Sequence, residues 1–170
     1  MGKHEKIEEE QLYKNLNNEL RSARNIKEIS LITHLYIEYY FRELIFVKFK
    51  LPENIINNSF NSKFNILVST GILEQDLIEN IKVIQKIRNH YAHNIIIEKN
   101  IYRNIEEKIR KMHFIIGPTI SDEKGDILSI EDIQKDELKF EFGLHCLGVI
   151  IALNNLLNKE EKENLNKIKR

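Results

Sequence analysis

An all-α fold, a compact bundle of five or six helices in a single domain spanning residues 1–170, is what this sequence predicts. Three observations carry that expectation. Apolar residues recur at helical rather than alternating spacing, only 6 Gly and 2 Pro punctuate the chain, and several segments begin and end on capping signals. A fold of many short strands needs a turn signal about every ten residues, which so few glycines and prolines do not supply.

Each element follows in order. Residues 5–24 read as a charged helix with few apolar anchors (Ile7, Leu12, Leu16, Leu20), expected to lie on the surface. Residues 26–49 form a stronger helix, with Ile29, Ile32, Tyr36, Tyr39 and Val47 at helical spacing and Pro52 to stop it, because proline disfavours helical geometry in the residue before it. Ser59 or Asn61 opens a short helix through Thr70, and Gly71 sits where a C-terminal cap belongs. The clearest helix covers 74–93, with acids in its first turn and Lys, Arg and His in its last, matching the helix dipole at both ends. Another covers about 98–114, before Gly117-Pro118. Residues 121–130 are polar and contain Gly125, which predicts a loop. Ser129 followed by Asp132 resembles a capping box, after which an apolar helix runs to about Asn158. The charged tail 159–170 is expected to fray.

Composition bounds the function. Apolar residues make up 42% and charged residues 31%, the balance of a folded chain rather than a disordered one. The formal net charge of zero argues against broad coating of nucleic acid, yet a local site for a few nucleotides needs only a handful of cations. The single Cys146 excludes an internal disulfide and suits a reducing compartment. No apolar run reaches the ~18 residues that a membrane-spanning helix requires, and residues 1–10 are unlike a signal peptide. The expectation is a cytoplasmic protein without membrane association.

One helix carries the functional information. On a wheel of 100° per residue, Leu77, Ile81, Ile84, Ile87 and Tyr91 form an apolar arc, and Lys82, Lys86, Asn89 and His93 form the opposite polar stripe. Arg88 falls in the middle of the apolar arc. A guanidinium is too costly to bury alone, so it must meet a carboxylate, a phosphate or water. Glu43, placed by the same operation among Ile32, Tyr36, Tyr39 and Val47, is its natural structural partner. His93 follows Arg88 by five residues and projects about 140° away from it, so the two converge only through distortion at the helix end or a second copy of the helix. A two-fold homodimer packing these helix ends would gather two Arg88 and two His93.

Such a cleft suits RNA cleavage without a metal. Histidine can take the proton of a ribose 2′-hydroxyl or protonate the leaving oxygen, and arginine can stabilise charge developing on the phosphate. Asn89 would support either group, while Lys82, Lys86 and His90 would extend the RNA-binding path. With 6 His in the chain, an Arg followed four to six residues later by a His is expected roughly 0.7 times by chance. The context carries the signal: an apolar-face Arg, an adjacent Asn, and a His closing a strong helix.

Arg88-Asn89-His90-Tyr91-Ala92-His93 resembles the Arg-x(4–6)-His signature of HEPN domains, including the polar residue after Arg. The stretch 60–94 (FNSKFNILVSTGILEQDLIENIKVIQKIRNHYAHN) is similar to a mannitol-operon-repressor-like branch of that superfamily, and a looser resemblance extends over 29–157. It implies an all-helical HEPN-like bundle, frequent dimers, and metal-independent endoribonuclease activity of toxin–antitoxin or antiphage type. Arg88 and His93 would then be the active pair, with Asn89 in support, and an antitoxin or regulatory protein a further partner. HEPN toxins paired with a nucleotidyltransferase carry an adenylylated Tyr one residue beyond the position following the His; Ile95 stands there, which speaks against such control. Members of the repressor-like branch regarded as regulators imply the alternative, a non-catalytic protein acting through protein partners, with Arg88 bound to Glu43 and His93 capping its helix.

Other groups rank lower. His90 and His93 with His113 or the His145-Cys146 pair lack a third ligand at fixed spacing, so no metal site and no cofactor is expected. His34 reads as a solvent-facing or internally satisfied helix residue, and Cys146 as an inert core thiol. Tyr36, Tyr39, Tyr40 and Phe41 have the faces to stack bases, but their spacing among isoleucines favours core or dimer interface.

Overall fold

The helix expected over 26–49 is present with those bounds in a computed structural model of the chain, which describes residues 9–50, 59–93, 99–115 and 137–168. It is the second of six described helices: α1 (Glu9–Ser22), α2 (Ile26–Phe49), α3 (Phe60–Ser69), α4 (Gln75–His93), α5 (Lys99–Ile109) and α6 (Glu137–Ile168). The described residues contain no strand, and the architecture is the helical bundle that the spacing predicts. The loop expected over 121–130 and the Ser129–Asp132 box lie outside the described residues, as do Gly117 and Pro118.

Local signals set the helix ends. Asn25, in extended backbone, caps α2 by accepting from the amide of Glu28. Lys50 closes it in the left-handed region at φ 50°, so α2 ends at Phe49, three residues ahead of Pro52. Ser59 rather than Asn61 caps α3, accepting from the amide of Ser62. Gly71 follows α3 with φ 68°, the left-handed conformation that ends many helices and that glycine adopts without penalty.

Packing decides the rest. α2 is central, laid mainly along α6 and flanked by α3 and α4, while α1 and α5 close the bundle. Its buried face is Ile26, Ile29, Ser30, Thr33, His34, Ile37, Tyr40, Phe41, Leu44 and Ile45. The arc inferred from Ile32, Tyr36, Tyr39 and Val47 is therefore its flank, since those four side chains are only partly buried. α2 is apolar around most of its circumference, so periodicity alone does not single out the face that meets the core. α1 is less superficial than its charge suggests, because Leu16 and Leu20 are buried.

α6 outruns the sequence expectation by ten residues. It continues to Ile168 because its distal half is tied to α2. Lys48 donates to both carboxylate oxygens of Glu160 at 2.9 Å, and Asn164 Nδ2 donates to the Val47 carbonyl at 2.8 Å. Nearer its middle, the buried Tyr40 hydroxyl donates to Asn154 Oδ1 at 3.2 Å. By length and composition alone α6 is long and apolar enough over Glu137–Asn166 to cross a membrane, although no uninterrupted apolar run in it reaches that length. Here its apolar face, including Phe142, Cys146, Val149, Ile150 and Leu153, lies in the core.

α5, by contrast, stops at Ile109, short of the expected 114. The buried Asn80 side chain of α4 donates to the His113 carbonyl at 2.7 Å and accepts from the His113 amide at 2.9 Å. Those two bonds take the backbone groups that a continuing helix would use. Cys146 is fully buried beside Thr33, and burial pushes its thiol up to about 12. A thiol reagent is accordingly expected to leave Cys146 unmodified in the native protein and to label it stoichiometrically in urea, as read by intact-mass measurement.

Candidate functional site at the α2, α3 and α4 junction

Arg88 lands where the wheel places it, on the core side of α4 one residue after the fully buried Ile87. Its side chain is half-buried. One Nη donates to Asn89 Oδ1 at 3.0 Å, which fixes the rotation of the guanidinium, and the Nε–H is buried without an acceptor. The proposed pairing with Glu43 is not formed. Glu43 turns instead to its chain neighbour Arg42, 3.1 Å away, whose guanidinium also lies over the Tyr39 ring at 5.6 Å. Glu43 sits on the flank of α2 rather than on the face that meets α4, so the two charges never approach. Among the described residues no carboxylate makes an ion pair with Arg88.

The remaining predicted residues of α4 divide by face. Lys82, Lys86 and His93 are exposed, and Asn89 and His90 are half-buried. Within one chain Arg88 and His93 are therefore not brought together, in keeping with the 140° between them on an undistorted helix.

What the fold does bring to Arg88 comes from α2. His34 is only 9% exposed, and its Nδ1 is buried with no hydrogen-bond partner. The expectation of a solvent-facing or satisfied histidine is thus overturned. Phe60 of α3 stacks on its ring, centroids 4.5 Å apart and planes inclined at 26°. One turn along α2, Glu38 accepts from Lys63 of α3 at 2.7 Å, and that lysine is almost wholly buried. Burial first, and then the charge of Arg88, hold the His34 imidazole below its usual range, so the neutral form is favoured. Lys63 is matched by Glu38, whereas among the described residues Arg88 has no carboxylate partner.

Sequence reasoning missed His34, Glu38, Lys63 and Phe60. The signal was present in their spacing: His34 and Glu38 are one turn apart on α2, and Phe60 and Lys63 one turn apart on α3. Reading it required knowing which side of α2 faces α3.

A second histidine cluster lies at the α4 and α6 side. His113 Nε2 bonds Glu79 at 2.8 Å, and the buried His145 lies against Phe114, ring centroids 4.5 Å apart and planes tilted by 38°, with its Nδ1 unpartnered. Burial lowers the affinity of His145 for a proton as it does for His34. Among the described residues no three His, Cys, Asp or Glu side chains stand close enough to share an ion.

The two depressed histidines set a pH response. The unfolded chain takes up protons near the ordinary histidine value of 6.5, before the folded chain does. Their contribution to stability is complete above that value and is lost as the pH falls through the lower folded values. The urea midpoint is expected to drop between pH 7.5 and 5.5, and to drop less in a His34→Gln/His145→Gln double variant.

No family model, no curated protein and no solved structure matches this chain.

Proposed function

We propose that the protein is a cytoplasmic RNA-binding protein of HEPN type that cleaves RNA without a metal as a homodimer, in a toxin–antitoxin or antiphage setting. The observation that carries this reading is the guanidinium of Arg88. It stands on the core side of α4 with a buried, unsatisfied Nε–H and, among the described residues, no carboxylate partner, an arrangement that a phosphate oxygen would complete. The alternative, a non-catalytic regulator, lacks the Arg88–Glu43 contact expected of it, since Glu43 pairs with Arg42, but keeps the separation of Arg88 from His93 within one chain.

In this mechanism His93 removes the proton from a ribose 2′-hydroxyl. The freed oxygen attacks the adjacent phosphorus, and the 5′-oxygen of the next nucleotide leaves with a proton from a second acid. The products are a 2′,3′-cyclic phosphate and a 5′-hydroxyl, and Arg88 bears the charge that accumulates on the phosphoryl oxygens. Asn89 holds Arg88, while Lys82, Lys86 and His90 guide the strand. The dimer supplies the second His93. In support of a dimer, Leu31, Leu35, Phe46 and Phe49 are exposed along α2 and fall within about 60° of one another at 100° per residue. His34 and Glu38 border that stripe.

Incubating the purified protein with mixed RNA in EDTA tests the reading. Fragments ending in cyclic phosphate from a species of dimer mass support it. Intact RNA after incubation with folded dimer, across single-stranded, hairpin and transfer RNAs, overturns it in favour of a regulator.

A further inference from the structure

We propose that His34 and Arg88, held between α2 and α4 beside the Lys63–Glu38 pair, form a binding site for a single phosphoryl group. The inference rests on the RNA reading only for what carries that group, an internal phosphodiester rather than a free ion.

Two buried polar atoms carry the inference. Arg88 Nε–H is a donor in any protonation state, and it is buried with nothing to accept. His34 Nδ1 is buried and unpartnered on the helix packed against it. A buried polar group left unsatisfied costs on the order of 1–3 kcal/mol, and this junction holds two on side chains whose positions are otherwise well fixed. Phe60 stacks on the imidazole plane, and Asn89 accepts from one Nη of the guanidinium, so the buried Nε–H is not used by that bond.

The chemistry of the ligand follows from charge. Glu38 and Lys63 neutralise each other at 2.7 Å, so neither competes for the site. Arg88 contributes a positive charge that no described carboxylate balances, which selects an anion over a neutral carbonyl or a water molecule. The imidazole in its Nδ1–H form has one bond to donate and the guanidinium another, a donor set that suits the oxygens of a tetrahedral oxyanion. The titratable and charged groups facing His34 are Arg88 of α4, Glu38 of its own helix and Lys63 of α3. An anion bound here would offset the field of Arg88 and favour the imidazolium, tightening its own hold as the pH falls.

The test is an NMR titration of the full-length protein, labelled with nitrogen-15 in its histidine rings, with two probes. One is inorganic phosphate; the other is a 2′-deoxy dinucleoside monophosphate, which cannot be cleaved by 2′-hydroxyl attack. Saturable shifts of the His34 ring nitrogens, with a raised His34 pKa, are expected with both probes, and the diester binds more tightly if an RNA backbone is the natural source. Arg88→Gln should weaken binding at least about tenfold, and Lys27→Gln, on the exposed side of α2, should leave it unchanged. His34 signals unmoved by either probe in the wild type overturn the site, as do saturable His34 shifts that survive undiminished in a folded Arg88→Gln variant. Binding at His34 without RNA cleavage removes the nuclease and keeps the site. Cleavage with His34 unmoved, and undiminished in His34→Gln, removes the site and keeps the nuclease.

Discussion

Arg88→Ala is expected to lower RNA cleavage in EDTA by roughly 10³-fold or more, the scale on which loss of one transition-state charge donor acts in a water-poor site. Initial rates on a defined RNA measure it. The same variant is expected to stay folded, with a urea midpoint equal to or above that of the parent. This follows from the surroundings of the guanidinium: among the described residues its removal breaks the bond to Asn89 and orphans no carboxylate, while it relieves an unsatisfied buried donor. Arg88→Lys should recover only part of the rate, because a point charge does not reproduce the guanidinium fork. His93→Ala should also abolish cleavage at unchanged stability. A strongly destabilised Arg88→Ala would instead assign Arg88 to holding the bundle together.

The largest loss of stability is expected from Phe41→Ala, about 3–5 kcal/mol by urea unfolding at neutral pH. Phe41 is fully buried on α2, with its ring 5.2 Å from Phe60 and 5.8 Å from Phe64, both on α3. Truncation leaves a void between two short-range partners that also order the site, since Phe60 is the ring stacked on His34. α3 is only ten residues long and has little to hold it besides this cluster, Lys63–Glu38 and the Gln85–Asn61 bond at 2.5 Å. Phe41→Leu, which keeps most of the volume, should cost well under half as much. A small loss in Phe41→Ala would mean that α3 is not anchored through its aromatic face. Of the aromatics with faces suited to stacking bases, Tyr40 and Phe41 are therefore core, and Tyr36 and Tyr39 lie at its edge.

By itself the sequence determined where α2, α3 and α4 begin and end, and that Arg88 is out of place. Caps, helix dipoles and left-handed glycines act within one or two turns, so Ser59, Gly71 and the last turn of α4 are readable locally. The position of Arg88 was equally plain because α4 has one narrow apolar arc and a charged opposite face. α2 offered no such contrast. Its surplus of Ile, Leu, Phe and Tyr hid which side meets the core, and with that went the pairing of Glu43, the burial of His34 and the match of Glu38 to Lys63. Partners distant in the chain decided the remaining boundaries. Val47 and Lys48 hold α6 in helix beyond Asn158, and Asn80 draws the backbone of His113 out of α5. Local chemistry chooses the helix; only the neighbours that a folded chain supplies choose which of its faces is buried, and therefore which charges are left to meet a ligand.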